Sequence, residues 1–182
     1  MNPDAPICMT VLNVAFGLGS NLGDRLAALQ GAVDLICADP GVSTAAVSGI
    51  YETDPVGGPE QPDYLNAVVV CDTELSPVLT LQLAHRVEAA WNRTREVHWG
   101  PRTLDVDVLA YGQLVTKHAQ LTLPHPRCAE RAFVLVPWAE VDPDFMITGK
   151  ATVAQCLANC SASDRSSVRV RGDLALTVPS DQ

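Results

Sequence analysis

Apolar residues recur along this chain with two different periods. Leu12, Val14 and Phe16 alternate with their neighbours, the period of a strand with one buried face, over 11–16. Gly17, Gly19 and Gly23 interrupt that pattern. Leu26, Leu29, Val33 and Ile36 then recur at helical spacing until Asp39-Pro40-Gly41 stops the helix. A run rich in Val, Ile, Thr and Ala over 42–51 reads as a second strand. A loop carrying Pro55, Gly57, Gly58, Pro59 and Pro62 follows, and 65–71 reads as a third strand. Ser76-Pro77 is a helix opening, a hydroxyl cap followed by proline at the first helical position. Leu79, Leu83 and Val87 are expected to be the buried stripe of that helix. Residues 92–102 are polar and irregular, and 104–111 alternates again as a fourth strand.

The order β-α-β-β-α-β predicts an α+β fold, a ferredoxin-like core with an antiparallel sheet and helices on one face. A short strand near 121–123 and helices over 131–139 and 152–159 are additions to it. The expected organisation is a single domain over 11–165, with flexible termini at 1–10 and 166–182.

Charge and cysteine content narrow the class. The 182 residues carry 21 acidic and 12 basic side chains, a net charge of −9, which disfavours a nucleic-acid partner. No run of eighteen apolar residues exists to span a membrane, and the N-terminus lacks the basic stretch of a secretory signal. Six cysteines, at 8, 37, 71, 128, 156 and 160, are scattered without a CxxC pair. They read as free thiols in a reducing compartment, so the expected location is the cytoplasm.

The sharpest chemical feature is Asp105-Val106-Asp107. In a strand both carboxylates point to one face while Leu104, Val106 and Val108 point to the other. Two like charges side by side suit a hard cation such as magnesium, which takes one or two carboxylates plus phosphate oxygens. The same pair also suits the solvated face of an edge strand. Directly upstream lie Arg93, Arg95 and Arg102, whose forks match phosphate oxygens or make ordinary surface ion pairs. Downstream, His125 stands between Pro124 and Pro126, as a ligand contact or a packing residue, with Arg127 and Arg131 four apart beyond it. Tyr64 and Asn66 are two apart and face the same way, a ring and an amide suited to a flat heterocycle or to a plain strand start. Gly17-Leu18-Gly19-Ser20 completes neither GxGxxG nor GxxxxGK[ST] and reads as a place of close backbone approach.

Four blocks in order carry a family resemblance: GSNLGDR at 19–25, the YETDPVG…QPDYLNAVV region at 51–69, WGPRTLDVDVL at 99–109 and LTLPHPRCAERAFVLVPWAEV at 121–141. The chain resembles the 6-hydroxymethyl-7,8-dihydropterin pyrophosphokinases. The resemblance implies a magnesium-dependent transfer of pyrophosphate from ATP to the hydroxymethyl group of the pterin, in folate biosynthesis. It implies two magnesium ions held by Asp105 and Asp107. ATP contacts would come from Glu88, Arg93, Arg102, His125 and Arg131, with Arg95 a further arginine of the catalytic loop. The pterin contacts implied are Gly19, Thr53, Asp54, Val56, Tyr64, Asn66 and Phe133. The expected partners are these two small molecules, for a monomer whose association with other folate-pathway enzymes is left open. Three positions depart from the common family pattern: Asn92 where glycine is frequent, His98 where arginine is frequent and Asp54 where proline is frequent. A ferredoxin-like core also hosts binding modules without catalysis, but such a module would tend to lose the aspartate pair or the arginines, and both are intact.

Overall fold

The strand expected over 11–16 runs on through its glycines, so that β1 spans Leu12–Ser20. The computed structural model describes residues 11–55, 59–91 and 102–179. α1 (Arg25–Cys37) opens at Asp24, whose carboxylate accepts from the Ala27 N–H at 3.0 Å. The run 42–51 divides into β2 (Val42–Val47) and β3 (Tyr51–Thr53). The division lies at Ser48, whose hydroxyl accepts from the Val68 N–H at 2.9 Å and so stands in for a backbone partner. β4 (Tyr64–Thr73) and α2 (Pro77–Ala90) follow, the helix capped by Ser76 as its Ser-Pro opening predicts. β5 (Asp105–Tyr111) closes the core.

β1 lies between β4 and β5, and β4 pairs on its other edge with β2 and β3, all antiparallel. With β2 and β3 counted as one interrupted strand, this is the ferredoxin-like arrangement expected from the element order. A hairpin of β6 (Thr116–Lys117) and β7 (Thr122–Leu123), α3 (Ala132–Val141), α4 (Val153–Asn159), α5 (Ala162–Ser166) and β8 (Arg169–Val170) complete the described chain. No helix among the described residues is long and apolar enough to cross a membrane.

Alternation along the strands sorts the apolar side chains into two cores. On one face Val14, Phe16, Val69, Val106 and Val108 pack against Leu29, Val33 and Ile36 of α1 and Leu83 and Val87 of α2. Each such fully buried aliphatic side chain contributes roughly 1.5–3 kcal/mol. On the other face Ala15, Val68, Val70 and Leu109 meet Leu135 and Trp138 of α3, with Val153 and Cys156 of α4 behind them. The helices therefore do not all lie on one face. α3 and α4 cover part of the second face and leave the rest open.

Two further expectations change. Leu79 is 45% exposed, and the buried stripe of α2 is Thr80, Leu83, Ala84, Val87 and Glu88. Leu83 and Val87 are buried as expected, and the stripe widens toward Thr80, Ala84 and Glu88 instead of reaching Leu79, a rotation that tertiary packing decides. The segment read as a flexible C-terminal tail is docked over much of its length. β8 pairs with β3 through Tyr51↔Val170 and Glu52↔Arg169. Leu174 and Leu176 pack on the α1 side, and the Thr177 N–H donates to Gln30 Oε1 at 3.0 Å. Its β8 part is held by backbone pairing and ion pairs, which leave no periodic apolar signal, and only Leu174 and Leu176 alternate onto the core.

Candidate active site

The second face becomes a site because of what β1 lacks. Across the sheet the register aligns Asp105 with Gly19 and Gly19 with Asn66, and in the next row Asp107 with Gly17 and Gly17 with Val68. A Cβ at residue 19 would sit 3.6 Å from Asn66 Oδ1, 3.8 Å from Tyr64 Cδ1 and 3.9 Å from Asp105 Cβ. Glycine leaves that space empty, and a trough runs over the central strand between the acids of β5 and the amide of β4. The cavity above it measures about 460 Å³.

The β5 side is ionic. Arg102 Nη1 lies 2.7 Å from Asp105 Oδ2. Asn21 secures that arginine from behind: its Oδ1 accepts from the Arg102 N–H at 2.8 Å, while its Nδ2 donates to Gln61 Oε1 and the Pro62 carbonyl, both at 3.0 Å. The buried asparagine of the GSN block thus ties the ionic end to the loop that ends at Tyr64. The His125 N–H donates to the Leu109 carbonyl at 2.8 Å, which docks the Pro-His-Pro segment on β5. Burial, then the charges of Arg131 and Arg127, lower the His125 pKa from 6.5 against an opposing pull from Asp105. The ring is therefore neutral at pH 7. Its Nδ1 accepts from the Arg127 N–H at 3.3 Å, which leaves the proton on Nε2. The Arg131 guanidinium stands 5.4 Å from the Phe133 ring centroid. Burial and Arg127 lower the Arg131 pKa, while Asp107 and Asp105 oppose the shift.

The β3–β4 side is aromatic and amidic. Asn66, 6% exposed, donates from Nδ2 to Thr53 Oγ1 at 2.9 Å, which turns its carbonyl oxygen toward the trough. The Tyr64 hydroxyl donates to Gln61 Oε1 at 3.3 Å. Phe133 arrives from the start of α3. A flat, hydrogen-bonding ligand and an anionic one can therefore lie side by side across one glycine strand.

The cavity wall brings together most of the residues expected from sequence. Gly19, Thr53, Asp54, Tyr64, Asn66 and Phe133 line it, as do Arg102, Asp105, Asp107, His125 and Arg131. Glu88 does not. It is buried on the α2 side of β5, where its Oε1 accepts from the Val106 N–H at 3.0 Å, so it holds the carboxylate strand from behind. Arg93, Arg95 and Val56 lie outside the described residues. Gln61, Arg127 and Gly17 also line the cavity without having been assigned to it. Their signals were present, Gln61 in the QPDYLN block and Arg127 four residues before Arg131. Among the described residues no group of three or more His, Cys, Asp or Glu could hold a metal ion. Two carboxylates on one cavity wall with Arg102, His125 and Arg131 are nonetheless the donor set magnesium accepts when phosphate completes its shell.

Comparison with known proteins gives the arrangement a context. The family model described as 7,8-dihydro-6-hydroxymethylpterin-pyrophosphokinase (HPPK) matches residues 15–143. A 2-amino-4-hydroxy-6-hydroxymethyldihydropteridine pyrophosphokinase of Methylorubrum extorquens is 48% identical over 147 residues, covering 81% of this chain and 92% of the relative. One of Bacillus subtilis is 47% identical over 130 residues, covering 71% of this chain and 78% of the relative. Among solved structures, wild-type HPPK-DHPS of Plasmodium falciparum with SDX-DHP superposes with a TM-score of 0.58 at 13% identity, over 82% of this chain and 44% of that one. An HPPK-DHPS in complex with substrates gives 0.60 at 10% identity, over 81% of this chain and 43% of that one. The chain spans under half the length of those two solved chains, which share its fold.

Proposed function

The chain belongs to the 7,8-dihydro-6-hydroxymethylpterin-pyrophosphokinase family, and from this premise we propose that it transfers pyrophosphate from ATP to the hydroxymethyl group of 6-hydroxymethyl-7,8-dihydropterin, releasing AMP and the pterin diphosphate. The observation that carries the reading is the row Asp105–Gly19–Asn66, an acid and an amide facing each other across an empty glycine floor.

In this reading the pterin lies on the β3–β4 side. Its edge meets the Asn66 carbonyl oxygen and the backbone near Thr53, and its ring lies between Tyr64 and Phe133. ATP lies on the β5 side, where Arg102, His125 through Nε2–H, and Arg131 receive phosphate oxygens. Arg93 and Arg95, outside the described residues, would add their charges to this set, as the family resemblance implies. Asp105 and Asp107 would hold magnesium, which neutralises phosphate charge and acidifies a nearby hydroxyl when bound. The neutral His125 donates a hydrogen bond from Nε2–H without a formal charge, and the arginines stabilise charge that builds up on the oxygen joining the transferred group to AMP. No strong base is required of the protein, because such transfers depend mainly on alignment and on charge stabilisation. The reaction would take place in the cytoplasm, on a monomer.

The test is product analysis with ATP, magnesium and hydroxymethyldihydropterin. AMP and pterin diphosphate should form in equal amounts. Release of ADP, or nucleotide turnover independent of the pterin, would remove the assignment.

A further inference from the structure

The outer end of the β3–β4 hairpin is held by the C-terminal segment, which the reaction as set out above does not use. The last rung of that hairpin is Thr53↔Tyr64, and both residues line the cavity. Immediately beyond the rung stand Asp54, after β3, and Asp63, before β4. A single guanidinium bridges them: Arg169 Nη1 lies 2.9 Å from Asp54 Oδ1, and Nη2 lies 2.9 Å from Asp63 Oδ2. Arg169 is fixed in turn by β8, opposite Glu52. Glu52 Oε1 is shared by Arg25 at 2.9 Å and Arg171 at 3.2 Å, and Arg25 Nη1 also donates to the Asp63 carbonyl at 2.7 Å.

We propose that Arg169 is a positioning residue for the pterin substrate, a fork that clasps Asp54 and Asp63 just beyond the ends of β3 and β4 and holds Thr53 and Tyr64 in binding geometry. The inference rests on the reading that places the pterin at the β3–β4 end. Its physical basis is local. A hairpin frays from its last rung, and here the last rung belongs to the binding wall. Each ion pair is exposed and weak by itself. One planar fork engaging two carboxylates joins the two strand ends for the entropy cost of a single side chain. Asp54 would otherwise present an unneutralised carboxylate to a cavity that has to receive polyphosphate.

The experiment is steady-state kinetics on the full chain. Arg169→Ala should raise KM for hydroxymethyldihydropterin about threefold to tenfold. KM for ATP and saturated kcat should stay within about twofold, as should all parameters of the control Arg86→Ala, which removes an unrelated surface pair with Asp39. Arg169→Lys keeps the charge without the fork and should fall between wild type and Arg169→Ala. Adding Asp63→Asn to Arg169→Ala should raise the pterin KM no further, because the partner is already lost. Rising salt should lift the wild-type KM for the uncharged pterin toward the Arg169→Ala value and leave the variant unmoved, which loss of mere packing would not produce. Normal wild-type turnover with an unchanged pterin KM in Arg169→Ala would overturn this inference alone. An equal rise in KM for ATP, or additivity with Asp63→Asn, would do the same. Absence of pterin turnover by the wild type would overturn the functional reading, and this one with it.

Discussion

The two faces of the sheet are built from the same strands and do opposite things. Toward α1 and α2, β5 presents Val106 and Val108 to a closed apolar layer. Toward α3 it presents Asp105, Asp107 and Leu109, and only the last is covered by apolar packing. β1 repeats the contrast, with Phe16 and Leu18 on one side and Gly17 and Gly19 on the other. The closed face, with the part of the other face packed under α3 and α4, fixes the strands in place, and the uncovered part can then carry unfavourable groups, like charges and empty volume. Stability and chemistry are thus separated by one residue of register.

That separation can be broken by mutation, and the largest effect is expected on the closed face. Phe16→Ala should cost about 3–5 kcal/mol in denaturant unfolding, with substrate KM values of the remaining folded protein unchanged. On the open face Asp105→Ala or Asp107→Ala should each lower turnover by at least about 100-fold, near 2.7 kcal/mol in the barrier, with the unfolding midpoint little changed. Near-normal rates at low magnesium would place both carboxylates outside the chemistry.

Glu88 sharpens the comparison, because a polar residue on the closed face serves the open one. Glu88→Leu leaves the Val106 N–H without this acceptor and should cost about 1–3 kcal/mol of stability. Weaker ATP binding in calorimetry with no loss of stability would return Glu88 to the nucleotide side.

The smallest effect concerns pH. The folded His125 pKa lies below 6.5, chiefly through burial. As pH falls through 6.5, the unfolded chain takes up a proton that the folded chain still refuses. Stability should therefore decline from pH 6.5 down to the folded value and be insensitive to this group above pH 6.5. Denaturant titrations from about pH 5 to pH 8 should show that slope, and His125→Gln should remove its contribution. An unchanged slope would mean that the ring is not held neutral by its surroundings.

Much of this was legible in the sequence because strand parity is rigid. Reading Asp105 and Asp107 on one face and Val106 on the other needs only period two. The pairing of Tyr64 with Asn66 on the cavity wall follows by the same rule. What escaped depends on rotation or on chain path. Leu79 was misplaced because packing, not spacing alone, sets the rotation of a helix, while Glu88 was assigned by family resemblance and not by periodicity. Gln61 and Arg127 reach the cavity from irregular segments whose course no periodicity encodes. The C-terminal strand is two residues long and charged, below the length at which alternation can be recognised.

The hydrogen bonds at the two margins of the sheet bear on self-association. An open sheet edge is a template on which another copy can add a strand. At the β5 margin, the outward Val106 N–H is taken by Glu88 and the Leu109 carbonyl by the His125 N–H. At the opposite margin β3 is capped by β8, a two-residue strand with Arg169 at its start and Arg171 directly after it, too short and too cationic to template a further strand. The groups that aim the histidine, brace the aspartate strand and clasp the hairpin therefore also occupy the β5 and β3 edges, whereas β2 pairs with β4 alone among the described strands. Loosening any of them should show itself as aggregation on concentration, apart from any change in catalysis.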